Sequence, residues 1–162
     1  MTAPDQHNPK KIHPKRMQAI PAHLEGAAAL EKLCFHQPWS ATSLELLTKD
    51  GIGVGYLCTA SAAPDAMVTA YGGMLITVDE GQITNIAVHP DHRRKGYGAA
   101  ITRALLRHAK DAKLESVSLE VRASNTAAIE LYKQAGFTEA GRRKGFYTKP
   151  TEDALVMVCK IK

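Results

Sequence analysis

The sequence predicts a mixed α/β sheet, and three observations predict it. Residues Ile83 to Ile101 read as a strand, a basic glycine-bearing loop and the opening of a helix. Residues Ser116 to Arg122 alternate cleanly, with Val117, Leu119 and Val121 on one face, and a capped helix follows. The resulting order of early strands, then helix, strand, helix, strand and strand, is that of helices laid on a mixed sheet.

Taken in order, residues 1–16 carry Pro4, Pro9 and Pro14 with Lys10, Lys11, Lys15 and Arg16, and too little apolar surface to pack. They are expected to form a flexible basic arm, either solvated or touching RNA or an acidic partner, before a single domain over 17–162. Met17 to Ile20 suits a short strand. Pro21 opens a helix through Leu33 with Leu24, Ala27, Ala28, Leu30 and Leu33 available for burial. The loop from Cys34 to Ser40 holds the only tryptophan, Trp39, placed either to line a groove or to plug the core. Ser40 is a good N-cap for a second helix reaching Thr48.

Gly51 to Thr59 and Met67 to Val78 suggest an antiparallel pair joined by the turn around Ala62-Ala63-Pro64-Asp65. Asp79-Glu80-Gly81 then turns the chain into the apolar, β-branched strand Ile83 to Val88, which Pro90 stops. After Gly98, positions Ile101, Ala104, Leu105, His108 and Ala109 share one helical face. Lys113 to Glu115 connect to the alternating strand, whose Glu120 falls opposite the apolar residues beside Ser118 and Arg122. Ser124 or Asn125 caps the last helix, which offers Ala128, Ile129, Leu131 and Tyr132, and Gly136 ends it in a left-handed conformation. Phe137 starts another strand, a polar stretch with Arg142, Arg143 and Lys144 follows, and Ala154 to Ile161 forms a final strand.

Composition sets bounds. With 44% hydrophobic and 23% charged residues the chain has an ordinary globular balance, and its net charge of +5 favours an acidic ligand. That charge is mild, so a polyanionic small molecule satisfies it as readily as nucleic acid. Cys34, Cys58 and Cys159 form no C-x-x-C pair and are expected to be reduced thiols of a cytoplasmic protein. His13, Cys34 and His36 lack ligand spacing, so no metal is expected. No apolar run is long enough for a membrane span, and the N-terminus has no apolar segment of a signal peptide.

The loop after Val88 has a definite chemistry. Gly96 and Gly98 let backbone N–H groups approach a ligand where a helix begins, and Arg93, Arg94 and Lys95 add positive charge. A phosphate or pyrophosphate is the natural guest. The P-loop pattern is absent, and a dinucleotide fingerprint lacks its third glycine, since Gly96-Tyr97-Gly98 continues Ala99-Ala100-Ile101.

What fits is [QR]-x-x-G-x-[GA], as Arg93-Arg94-Lys95-Gly96-Tyr97-Gly98 after Asn85-Ile86-Ala87-Val88. This resembles the acetyl-CoA loop of the GNAT N-acetyltransferase superfamily. Leu119-Glu120-Val121-Arg122-Ala123-Ser124-Asn125 running to Tyr132 and Gly136-Phe137 resembles the signature of its RimI-like branch, the ribosomal-protein alanine N-acetyltransferases. Pro38-Trp39-Ser40 and Glu152-Asp153-Ala154 match that pattern too. The likeness spans about residues 17 to 162. It implies the GNAT fold, a central and mostly antiparallel sheet flanked by helices.

The resemblance also implies roles. Ile86, Ala87 and Val88 would offer backbone hydrogen bonds to the pantetheine of acetyl-CoA, with Arg93, Arg94, Lys95, Gly96, Tyr97, Gly98 and Ala99 around the pyrophosphate. Asn125 and Tyr132 would also meet the cofactor. Glu120 would be the general base and Tyr132 the general acid. The implied acceptor is a protein N-terminus, in the RimI-like branch that of a small-subunit ribosomal protein. No direct nucleic-acid role is implied, and a monomer or weak dimer is expected.

The chemistry asks for such a pair. An amine attacks a thioester only when neutral, and an α-amine with pKa near 7.7–8.0 is roughly a tenth neutral at pH 7. A modest base, direct or through water, then suffices. A lysine near 10.4 is neutral only about 0.04% of the time. The departing thiolate takes a proton, which a phenol can give, so no nucleophilic cysteine is needed.

On periodicity alone Glu120 is equally a solvent-facing residue paired with Arg122, and Tyr132 a core aromatic. The acceptor alternatives are a lysine side chain or a small amine, and a basic RNA-binding module is the reading from another class. The chain departs from the family pattern in its longer N-terminal arm. It also departs in Gly145-Phe146-Tyr147-Thr148-Lys149-Pro150, a shorter segment with Phe where the family often has a second Tyr.

Overall fold

The computed structural model describes residues 11–162. Strands β1 (Lys15–Arg16), β2 (Gly53–Thr59), β3 (Val68–Thr77), β4 (Glu80–Val88), β5 (Ser116–Arg122), β6 (Thr138–Tyr147) and β7 (Glu152–Lys160) form one sheet in the order β1-β2-β3-β4-β5-β7-β6. Every neighbouring pair is antiparallel except β4 and β5, so the sheet is mixed and mostly antiparallel, as expected. Among the described residues four α-helices accompany it: α1 (Pro21–Cys34), α2 (Ala41–Leu44), α3 (Tyr97–Asp111) and α4 (Thr126–Gln134).

Local chemistry explains most boundaries. Pro21 sits in the first turn of α1, where its missing N–H costs nothing. Ser40 Oγ accepts from Ser43 N at 3.1 Å to start α2, and the chain then tightens into a 3₁₀ turn over Glu45–Thr48. One element lies elsewhere than the sequence suggests. The first strand is Lys15–Arg16, not Met17 to Ile20; Met17 is buried and His23 Nδ1 takes the Gln18 amide at 2.9 Å, turning the chain into α1. Lys15 and Arg16, read as part of the arm, therefore pair with β2. The rest of the arm up to Lys10 lies outside the described residues.

The polar stretch after Phe137 is also strand. β6 runs through Arg142, Arg143 and Lys144 with almost every residue exposed, because it is an edge strand whose pairing to β7 carries it. Exposed cations on an edge oppose pairing with another chain, so polarity there is compatible with a strand.

Two apolar clusters cover opposite faces of the sheet. One joins α3 and α4 to Val54, Met74, Ile83, Val117, Leu119 and Val121. The other joins α1 and α2 to Leu57, Tyr71 and Ala87. Side chains alternate along each strand, so this division assigns every neighbouring residue to a face.

Candidate active site

β4 and β5 lie side by side only at Glu80–Gln82 against Ser116–Ser118. Both strands then run on, to Val88 and Arg122, without pairing to each other, while β3 and β7 pair their outer edges. A bulge helps β4 bend away: Gly73 faces Asn85 and Met74 faces Ile83, leaving Thr84 as the extra residue, with its Oγ1 on Gly73 O at 3.2 Å. The divergence opens a cleft of about 1130 Å³. Its walls come from both strands, the start of α4, the α1–α2 loop and residues 146–150.

The cleft connects the two faces of the sheet. Val117, Leu119 and Val121 face α3 and α4, so Ser118, Glu120 and Arg122 face the α1 side. Tyr132 belongs to α4 and packs on the other side. Glu120 and Tyr132 thus line one cleft from opposite faces.

Tyr132 is held by the way α4 ends. Gly136, at φ +107°, lets its own N–H reach Lys133 O at 3.1 Å while Phe137 N reaches Tyr132 O at 3.0 Å. That pair of bonds brings the residue after the glycine back against the last turn, and the rings of Tyr132 and Phe137 meet edge to face at 5.8 Å. Burial, then the neighbouring Tyr147, pushes the Tyr132 phenol up to about 12. At the other end of α4, Asn125 rather than Ser124 is the cap, accepting from Ala128 N at 3.2 Å. Its carboxamide NH₂ is left for another partner at the cleft wall.

The basic loop enters α3 as expected, but the helix starts at Tyr97. Gly96 takes φ +87°, which favours glycine, and Ala100 N makes the first helical bond, to Gly96 O at 3.0 Å. The amides of Tyr97, Gly98 and Ala99 precede it and are free of intrahelical partners. Gly98 serves packing as well, since a Cβ there would lie 3.1 Å from Leu131 Cδ1 of α4. Arg94 and Lys95 are exposed. Arg93 bends back: its Nε donates to Val88 O at 3.2 Å and Nη2 lies 3.7 Å from Cys34 Sγ. Its charge nonetheless stays at the end of β4, beside the loop. Ile86 and Val88 face α3 and α4, while Ala87 is buried under α1. The free amides at the start of α3 have the chemistry to take an anion, and beyond Gln82 the edge of β4 that faces β5 has no strand partner, although β3 pairs the other edge through Val88.

Glu120 has two neighbours, Gln82 Nε2 at 3.3 Å and Arg143 Nε at 3.5 Å, and its side chain is 14% exposed. Sequence reasoning missed what organises the opposite rim. Arg122 donates to Pro150 O at 3.0 Å and Thr148 O at 3.1 Å, and its guanidinium lies 4.5 Å from the Tyr147 ring centre. These bonds clamp residues 147–150 to the end of β5. Burial, then the charge of Glu120, raises the Tyr147 phenol.

Sequence reasoning also passed over Glu31, which is fully buried. It receives the Tyr71 hydroxyl, Asn85 Nδ2 at 2.6 Å and Trp39 N at 3.2 Å. The available signal was its place one turn from Ala27 and two from Leu24, on the apolar face of α1. Trp39 lines the cleft and packs on the α1 cluster, so both readings of it hold.

Comparison with known proteins adds to this geometry. The profile of the Acetyltransferase (GNAT) family matches residues 24–137. A relative from Escherichia coli (strain K12), named [Ribosomal protein bS18]-alanine N-acetyltransferase, is 34% identical over 85% of this chain and 91% of its own. One of the same name from Salmonella typhimurium is 36% identical over the same shares. The crystal structure of the ribosomal-protein-S18-alanine N-acetyltransferase from Escherichia coli superposes with a TM-score of 0.79 at 30% identity, covering 93% of this chain and 95% of that one. Arabidopsis thaliana NAA60 in complex with acetyl-CoA shares the fold, with a TM-score of 0.79 at 18% identity over 93% and 99% of the two chains.

Proposed function

This chain belongs to the acetyltransferase (GNAT) family, and on that premise we propose that it transfers acetyl from acetyl-CoA to the α-amine of a protein beginning with alanine, a ribosomal protein of the small subunit. Relatives that carry this activity in their names match most of the chain, and one solved relative matches its fold. The observation that carries the reading is the placement of Glu120 and Tyr132 on opposite faces of one cleft.

Acetyl-CoA supplies an acetyl group activated as a thioester. The free amides of Tyr97, Gly98 and Ala99, with Arg94 and Lys95 nearby, hold its diphosphate on the α3 face. The diverged stretch of β4 at Ile86 to Val88 guides the pantetheine, and Asn125 offers it an amide donor. The acceptor enters from the α1 face, between the α1–α2 loop and the rim clamped by Arg122. Glu120 takes the proton of the attacking amine there, directly or through water. Tyr132, protonated throughout the neutral range, donates a hydrogen bond to the sulfur as it gains charge. Because its phenol stands near 12, it acts on that charge as a hydrogen-bond donor rather than as the full general acid that the resemblance implied, and the thiolate takes its proton from solvent on release. Such an acceptor, together with three free cysteines, fits a cytoplasmic enzyme.

Mass spectrometry of peptides incubated with the protein and acetyl-CoA tests the proposal. An N-terminal Ala peptide is expected to gain one acetyl group on its α-amine, and Glu120→Gln and Tyr132→Phe to slow the gain with acetyl-CoA affinity unchanged. Acetylation confined to lysines or small amines would refute the acceptor.

A further inference from the structure

We propose that Asn85 is the subsite for the acceptor's amine, and that the buried Glu31 orients it; this rests on the acetyl-transfer reading above. Donors surround the Glu31 carboxylate. The Trp39 amide, which can only donate, gives its hydrogen to Oε2, and the Tyr71 hydroxyl gives its hydrogen to Oε1, so both oxygens act as acceptors. Asn85 turns its NH₂ toward this accepting carboxylate, with Nδ2 donating to Oε1 at 2.6 Å. The opposite end of the carboxamide, Oδ1, is then fixed in direction.

That oxygen is left for a ligand. No protein donor reaches it, and no buried side-chain oxygen is without a partner among the described residues, so Oδ1 is open to the cleft that Asn85 lines. Its position matches the chemistry. Asn85 lies on the α1 face, as its bond to Glu31 shows, and Glu120 faces the same side from the other wall. An amine between them donates one N–H to Asn85 and gives up another to Glu120. Its lone pair is then free to face the α4 side, where Tyr132 stands. The β4 bulge at Thr84 supports this, because Asn85 is the first residue after it.

Glu31 also fixes the acceptor entrance. Its second oxygen holds the Trp39 amide, so one carboxylate ties the α1–α2 loop to the amine subsite. A helix glutamate with no exposed surface and three donors from three elements is costly to keep unless each bond is made. Here each is made, and two of the three donors belong to cleft-lining residues.

Steady-state kinetics of the full chain test this with Asn85→Ala, Glu31→Gln and the double variant. The wild type is first offered an Ala-N-terminal peptide, then a lysine peptide and a panel of small amines, which decides the acceptor class separately. With whichever amine is turned over, Asn85→Ala is expected to raise its KM at least tenfold and leave the acetyl-CoA Kd within twofold. Glu31→Gln is expected to move the same KM by less, and the double variant to be no worse than Asn85→Ala. Wild-type KM in Asn85→Ala, or additive effects in the double variant, would overturn the subsite whatever the acceptor proves to be. If the wild type turns over no amine, both readings fall together.

Discussion

Replacing Tyr132 by phenylalanine removes one oxygen and little else. The ring keeps its edge-to-face contact with Phe137 at 5.8 Å, and the backbone bonds that end α4 do not involve the side chain. No protein partner of the hydroxyl is lost among the described residues, so stability should change by less than about 0.5 kcal/mol. The effect on turnover is of another size. A hydrogen bond to a charged group contributes about 1.5–3 kcal/mol, which at about 1.4 kcal/mol per decade is roughly ten- to a hundredfold in kcat. The pH profile carries a second signature. With the phenol near 12, only about 0.1% is ionised at pH 9, so the wild-type rate should show no falling limb below that pH. Thiol release measured from pH 6 to pH 9, with acetyl-CoA affinity by calorimetry, gives both readouts. A Tyr132→Phe kcat within twofold of wild type would refute the donor role, and a wild-type fall near pH 8 would refute the high phenol pKa.

Four further outcomes are expected. Glu120→Gln should lose about a hundredfold in kcat at pH 7, and the deficit should shrink by pH 9 as the α-amine becomes neutral unaided; a deficit constant across pH would exclude Glu120 as base. Arg122→Ala frees Thr148 O and Pro150 O and should raise the peptide KM roughly tenfold with the acetyl-CoA Kd unchanged. Gly53→Ala would bring a Cβ to 2.5 Å from Leu46 O and should cost about 1–3 kcal/mol, whereas Gly141→Ala, with open space around it, should be neutral by thermal melting. Burial, then Lys15, lowers the His23 pKa from 6.5, and its Nδ1 must stay unprotonated to accept from Gln18 N. That stability is complete above pH 6.5 and lost as pH falls through the depressed value, so Tm should drop on acidification, less steeply in His23→Gln.

Much of this was legible in the residues themselves. The alternation of Ser116 to Arg122 located β5 and put Glu120 on its own face; Asn125 and Gly136 bounded α4 to within a residue. These signals are local, set by side-chain period and by caps. The divergence of β4 and β5 was not legible, because strand order depends on contacts far apart in sequence. Val117, Leu119 and Val121 say which face is apolar but not which strand lies beside them. Phe137 marked the start of β6, but its length was hidden for a different reason: Arg142, Arg143 and Lys144 carry no apolar signal, and only the partner strand makes them extended. Glu31 was hidden by habit of composition, since a charged residue in a helix is ordinarily taken for its wet side. The strand–loop–helix form of Arg93 to Ala99 was legible from its glycines and charge, but the return of Arg93 to Val88 O depends on the tertiary fold.

The three-residue ladder between β4 and β5 has a mechanical consequence. Four strands on one side and three on the other are stitched together only at Glu80–Gln82 and Ser116–Ser118. Beyond those stitches the sheet behaves as two leaves on a short spine, and the packing of α3 onto β4 and β5 acts as the binding that keeps them from opening further. A molecule wedged between the leaves and touching both would take over part of that task. The protein should therefore be stiffest, and slowest to exchange amide protons along the inner margins of those leaves, when its cleft is full.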